Sequence, residues 1–176
     1  MKKKAALFIK DYVVPILIAL VIVNIVGISF VVGESMQPTL ENRDVLVIDK
    51  ITPKFASIDY GDIVIFKSSL ERNTFSNKIL VKRVIGIPGD IVEIRNGNVF
   101  VNNTFLEEEY IDNSFTAGEL IIYIPENKVF VLGDNRNHSE DSRSSVIGLV
   151  DKKDIIGKAI LRVFPTTDFE LLNTTL

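Results

Sequence analysis

The chain has 176 residues, 47% of them hydrophobic, and a formal net charge of −3. With one histidine and no cysteine it has no disulfide, thiol nucleophile, cysteine zinc site or multi-histidine metal centre, and its acidic balance excludes a generally basic nucleic-acid binder. The charge is uneven: Lys2, Lys3, Lys4 and Lys10 against Asp11 give residues 1–11 a net +3, which leaves −6 for the rest. A basic stub before an acidic body points to a membrane.

From Tyr12 to Val32 no residue is charged, and Asn24 is the one strongly polar group in this 21-residue run. A helix of that length spans roughly 30 Å, the hydrocarbon thickness of a bilayer. Pro15 lies near its start, where a missing N–H costs least. A cleaved leader is the competing reading, and Gly27 and Ser29 offer its small-x-small pattern. Its apolar region, however, runs to only ~7–15 residues. The expectation is therefore a single transmembrane helix over 12–32. The lysines before it place residues 1–11 in the cytoplasm and 33–176 outside.

Beyond residue 35 helical periodicity is scarce. Short β-branched runs follow one another at 45–49, 62–66, 79–87, 91–95, 98–102, 119–124, 128–133 and 155–165, bounded by turn residues such as Pro53, Gly61, Pro88-Gly89 and Pro125. Asn96-Gly97 between two alternating runs is a strong hairpin signal. The polar stretch 102–119 reads as an excursion, either a small second lobe or a long loop. The fold class is mostly β.

Three segments could carry chemistry. In Gly33-Glu34-Ser35-Met36-Gln37-Pro38-Thr39-Leu40 a glycine before and a proline after Ser35 shape a turn that could expose its hydroxyl, although a serine in a turn is more often structural. Lys82 interrupts the apolar strand ILVKRVIGI and shares a face with Leu80 and Val84. It is either a buried amine, whose pKa burial lowers toward that of a general base, or an edge-strand guard against aggregation. The loop Gly133 to Arg143 (GDNRNHSEDSR) is either a solvated turn or a hydrogen-bonded network that positions a catalytic group.

GESMQPTL, YGDIVIF, KRVIGIPGD and GDNRNHSEDSR, in that order after one N-terminal span, resemble the signature segments of type I signal peptidases, in their short Gram-positive form. The resemblance covers residues 1 to about 165. It implies an all-β peptidase domain after a transmembrane helix, with a small inserted β lobe at about 97–125. It also implies a Ser–Lys dyad without metal or cofactor: Ser35 as nucleophile and Lys82 as base. Ser139 would orient the lysine, and Arg83, Asp134, Asp141 and Arg143 would hold the site. Val31, Gly33, Met36, Leu40, Leu80 and Val81 would form shallow substrate pockets for small side chains, and Gly33 stands where some relatives carry a second oxyanion donor. His138 reads as a solvated loop residue. The implied partners are signal peptides of secretory preproteins, the phospholipid membrane and the export machinery, with no nucleic acid. A self-cleaving repressor of related fold would carry a DNA-binding domain in place of the span. A silent tethered binding module would have lost Ser35 or Lys82, and both are present.

Overall fold

The computed structural model describes residues 9–73, 76–112, 115–165, 167 and 169–172. Most of the basic stub, including Lys2 to Lys4, lies outside the described residues. A π-helical stretch, Ile9–Val13, leads into α1 (Val14–Ile25). The strands and one further helix follow in the order β1 (Val26–Phe30), β2 (Val45–Asp49), α2 (Thr52–Phe55), β3 (Ile63–Asn73), β4 (Ser76–Gly86), β5 (Ile91–Arg95) and β6 (Asn98–Val101). Then come β7 (Thr104–Phe105), β8 (Leu120–Tyr123), β9 (Lys128–Leu132), β10 (Val150–Asp151), β11 (Ile155–Phe164) and β12 (Glu170–Leu171).

The single helix expected over 12–32 is not formed. The helix stops at Ile25, and residues 26–30 pair antiparallel with β2, from Val26 opposite Asp49 to Phe30 opposite Val45. No helix among the described residues is long and apolar enough to cross a membrane. An apolar run does not by itself distinguish helix from strand, and here the β-branched end of the run finds a partner edge in VLVID. Gly27 lets the two strands close up. A Cβ there would lie 2.5 Å from Lys50 Cε and 2.8 Å from Ile48 Cγ1.

Two antiparallel sheets result. The larger runs β1-β2-β11-β3-β4-β9-β10, with β12 added to β11, and the smaller runs β7-β6-β5-β8. The smaller sheet takes in β5, so the inserted unit begins at Ile91, ahead of the expected 97. Its hairpins turn on Asn96-Gly97 and Asn102-Asn103, all four at positive φ, the conformation two-residue hairpin turns require. Of the polar stretch 102–119 only β7 joins this sheet, whose other strands flank the stretch. The sheet's core is continuous with the main body, since Val92, Ile94 and Val99 pack with Ile85, Phe130 and Leu132. On the same face of the main sheet Met36, Leu40, Leu46, Ile48, Ile63 and Ile65 close a second core beneath the turn that carries Ser35, while Val64, Phe66, Val84 and Val131 pack on the opposite face.

Candidate active site

Ser35 sits on the turn that leaves β1, and this turn is pinned at several points. Asn42 Oδ1 accepts the Gly33 N–H at 3.1 Å. The Asn135 N–H reaches the Ser35 carbonyl at 3.1 Å, and Asn135 Nδ2 donates to the Glu34 carbonyl at 3.2 Å. Further on, Arg162 donates to the Thr39 carbonyl at 3.0 Å. Gly33 holds φ +103°, a conformation L side chains rarely adopt, so the turn depends on glycine there.

Lys82 reaches Ser35 from β4. Pairing of β3 with β4 places Lys82 opposite Val64, while Leu80 and Val84, two residues either way, lie in one hydrophobic cluster. The strand's alternation therefore carries the lysine inward, and it is only 2% exposed. Its Nζ donates to Ser35 Oγ at 2.6 Å and to the Val81 carbonyl at 3.0 Å. Burial lowers its pKa from 10.5 to about 8. Asp141 opposes the shift, Lys78 adds to it, Asp134 opposes it and Arg143 adds to it.

One buried ion pair and one partly buried pair lie beside the Ser35–Lys82 contact. Arg83 grips Asp134 with Nε at 2.9 Å and Nη2 at 2.7 Å, and also donates to the Gly61 carbonyl at 3.1 Å and to Thr39 Oγ1 at 3.2 Å. Thr39 Oγ1 in turn donates to Asp134 at 2.5 Å. Arg143 holds Asp141 with Nε at 2.8 Å and Nη2 at 2.9 Å, and Asp141 accepts the Gly133 N–H at 3.1 Å. Gly133 is the point of closest approach. A Cβ there would lie 2.2 Å from Ser139 Oγ and 2.4 Å from the Ser35 carbonyl oxygen.

A groove of about 710 Å³ opens over the dyad, walled by residues 28–36 and 78–82 with His138 and Glu140 at its rim. Among the described residues β1 is an end strand of its sheet. β9 pairs with β4 only from Arg83 onward, so Lys78 to Lys82 have β3 on one side alone. The groove thus lies between two unpaired strand edges, a shape that takes an extended peptide by main-chain hydrogen bonding.

The expected residues fall as follows. Ser35 and Lys82 come together, as do Arg83 with Asp134 and Asp141 with Arg143. Val31, Gly33, Met36, Leu80 and Val81 line the groove. Leu40 does not. Its N–H bonds the Met36 carbonyl at 2.8 Å, and the turn so closed carries its side chain fully into the core. Ser139 is beside the site, but Lys82 bonds Ser35 and the Val81 carbonyl and not Ser139, whose buried Oγ has no hydrogen-bond partner among the described residues. His138 is exposed, as expected, although at the groove rim. Sequence reasoning missed Ile28, Phe30, Asn42, Asn135 and Arg162. Arg162 carried a usable signal, a charge inside the apolar strand IIGKAILRVF, the same signal that picked out Lys82.

A peptide-sized groove over a serine hydrogen-bonded to a buried amine defines a peptidase-like arrangement. Comparison with known proteins gives the class. The family described as "Signal peptidase, peptidase S26" matches residues 6–164. The chain is 38% identical to Signal peptidase I P of Bacillus subtilis subsp. natto, over 88% of this chain and 89% of that one. It is 33% identical to Signal peptidase I S of Bacillus subtilis, over 98% and 96%, and 34% identical to Signal peptidase IB of Staphylococcus aureus, over 91% and 92%. Among solved structures, a signal peptidase I from Enterococcus faecalis aligns with a TM-score of 0.48 at 28% identity, over 58% of this chain and 96% of that one. The chain belongs to the signal peptidase family, peptidase S26, and is a hydrolase of the signal peptidase I type.

Proposed function

We propose that the protein is a membrane-anchored serine endopeptidase that removes N-terminal signal peptides from exported preproteins with a Ser35–Lys82 dyad. The observation that carries the reading is the 2.6 Å contact between Lys82 Nζ and Ser35 Oγ, made by a lysine that burial brings to a pKa of about 8. About a tenth of such an amine is neutral at pH 7, far more than of an ordinary lysine. In its neutral form it accepts the Ser35 proton as Oγ attacks the scissile carbonyl. The Ser35 N–H stabilises the oxyanion. The protonated amine then gives its proton to the leaving amine, the acyl group stays on Oγ, and the neutral lysine activates a water that releases the acid and regenerates Ser35.

Substrate preference follows from the groove. Val31, Met36, Leu80 and Val81 are apolar and largely buried, so the pockets they leave are shallow and fit methyl-sized side chains. Small residues are expected at the first and third positions before the cut.

Anchoring rests on exposure. Leu17, Leu20, Val21, Ile22 and Val23 of α1 all stand more than half exposed, and on β1 and just beyond it Ile28, Phe30 and Val32 are 68%, 68% and 88% exposed. This apolar surface leads directly to Ser35 and suits a lipid surface better than water. Orientation, with the N-terminus cytoplasmic and the catalytic body outside, follows from the lysines before the run. The substrate reading is tested with a preprotein whose Ala-x-Ala site is changed at the first or third position to Leu or Phe. Cleavage lost at those two positions and kept at the middle one supports the reading. Equal cleavage of all variants contradicts it.

A further inference from the structure

The segment leaving β7 crosses from the inserted lobe to the dyad's supports. Its alternate residues Leu106, Glu108 and Tyr110 turn inward while Glu107 and Glu109 face out. Tyr110 lays its ring over the Arg83 guanidinium, 3.9 Å from centroid to Cζ, and its hydroxyl donates to Glu108. Glu108 forms a two-point pair with Arg136, one arm at 2.7 Å, and both side chains are almost fully buried. Arg136 also donates to Thr116 Oγ1 at 2.6 Å and, through Nε, to the Gly133 carbonyl at 3.1 Å. Gly133 is therefore held at both ends, by Asp141 at its N–H and by Arg136 at its carbonyl. It is also the residue against which the Ser35 main chain and Ser139 pack most closely.

We propose that Glu108, acting through Arg136 on Gly133, is a positioning residue for the Ser35–Lys82 dyad, so that the inserted lobe sets the geometry of the catalytic centre. This rests on the dyad reading above. A buried ion pair contributes little net stability when compared with apolar packing, but it fixes one arrangement of its partners. Arg136 has no other carboxylate partner among the ion pairs of the described residues. Losing Glu108 leaves a buried guanidinium to pull its loop toward solvent, and Gly133 moves with it. Small displacements of a reacting pair cost up to about 100-fold in rate.

The test uses the full chain in liposomes and a preprotein with an Ala-x-Ala site. Glu108→Gln, Arg136→Met, the double variant and Thr116→Val are compared with wild type, Ser35→Ala and Lys82→Ala, with a melting curve for each. The expected result is a kcat lowered about 10- to 100-fold in Glu108→Gln with KM within about twofold. The double variant should be no slower than the slower single variant, because the two residues act as one unit. Thr116→Val keeps the ion pair and serves as a packing control; the double variant, which removes both buried charges, decides the matter if Glu108→Gln does not fold. Wild-type kcat in the folded Glu108→Gln protein, or in the double variant where that protein does not fold, overturns the proposal, as does a loss that merely tracks the unfolded fraction. Cleavage by Ser35→Ala or Lys82→Ala overturns the dyad reading itself, which the other variants leave untouched.

Discussion

Lys82 carries opposite consequences for activity and for stability. As a base it must be neutral, so kcat/KM should rise with pH and level off above an apparent pKa near 8, the value to which burial lowers the amine. A rate profile flat from pH 6 to 9 would contradict the assignment. For folding the direction is the same but the pH window lies higher. Between about 8 and the ordinary 10.5 the unfolded chain binds a proton at Lys82 that the folded chain does not, so stability rises with pH across that window, and below about 8 the full penalty stands. Lys82→Met should therefore be inactive yet more stable at pH 7, by about 1–3 kcal/mol, with the gain shrinking as pH approaches 10. Denaturant titrations at pH 7 and pH 10 check this. At Gly133, alanine should lower kcat about 100-fold or more, since its methyl would lie 2.4 Å from the Ser35 carbonyl oxygen, a backbone atom. Steady-state cleavage rates of Gly133→Ala read this directly. Lys82 stood out as a charge inside ILVKRVIGI, a buried amine or an edge-strand guard by pattern alone, and the fold buries it. Leu40, which the resemblance put in a substrate pocket, packs fully in the core, a placement that its apolar character alone does not distinguish from a pocket wall.

The elements that bring Ser35 to Lys82 are far apart in the chain, and charge pairs lock them together. Arg83 on β4 and Asp134 just past β9 are each 2% exposed, and Thr39 from the nucleophile's own turn bonds both. Asp134→Asn would leave the guanidinium buried without a counter-charge. It should cost about 3–5 kcal/mol in urea denaturation, much more than a surface carboxylate, and should loosen the Ser35 turn at the same time. Strand positions in this body were largely readable. β2 and β5 fall where β-branched runs predicted, and Asn96-Gly97 turns the hairpin it announced. Asn102-Asn103 carries the same turn chemistry and went unread because only Asn-Gly was taken as a signal. β1 was invisible for a different reason. Its sequence continues the apolar run of α1 without a break, and only the partner edge of β2 makes it a strand.

At the scale of the molecule, an apolar helix, an apolar strand edge and the dyad follow one another within residues 14–35. That sequence of surfaces supports the proposal of a cutting site at the level of a bilayer. Wild-type protein should float with phospholipid vesicles in a density gradient, and replacing Leu17, Leu20 and Val21 together by aspartate should leave most of it in the soluble fraction while cleavage of a short soluble peptide persists. In the smaller sheet the β5–β6 hairpin and the run of β8 were legible, but the link to Ser35 and Lys82 was not, because it runs through Glu108, Tyr110 and Arg136, whose pairing depends on tertiary placement. The central claim is that Ser35 and Lys82 together cut signal peptides. Its most direct measurement incubates a secretory preprotein with liposomes bearing wild type, Ser35→Ala or Lys82→Ala and sequences the new N-terminus. The account predicts a cut after the second Ala of an Ala-x-Ala site by wild type alone. Continued cutting at that site by either variant would contradict it.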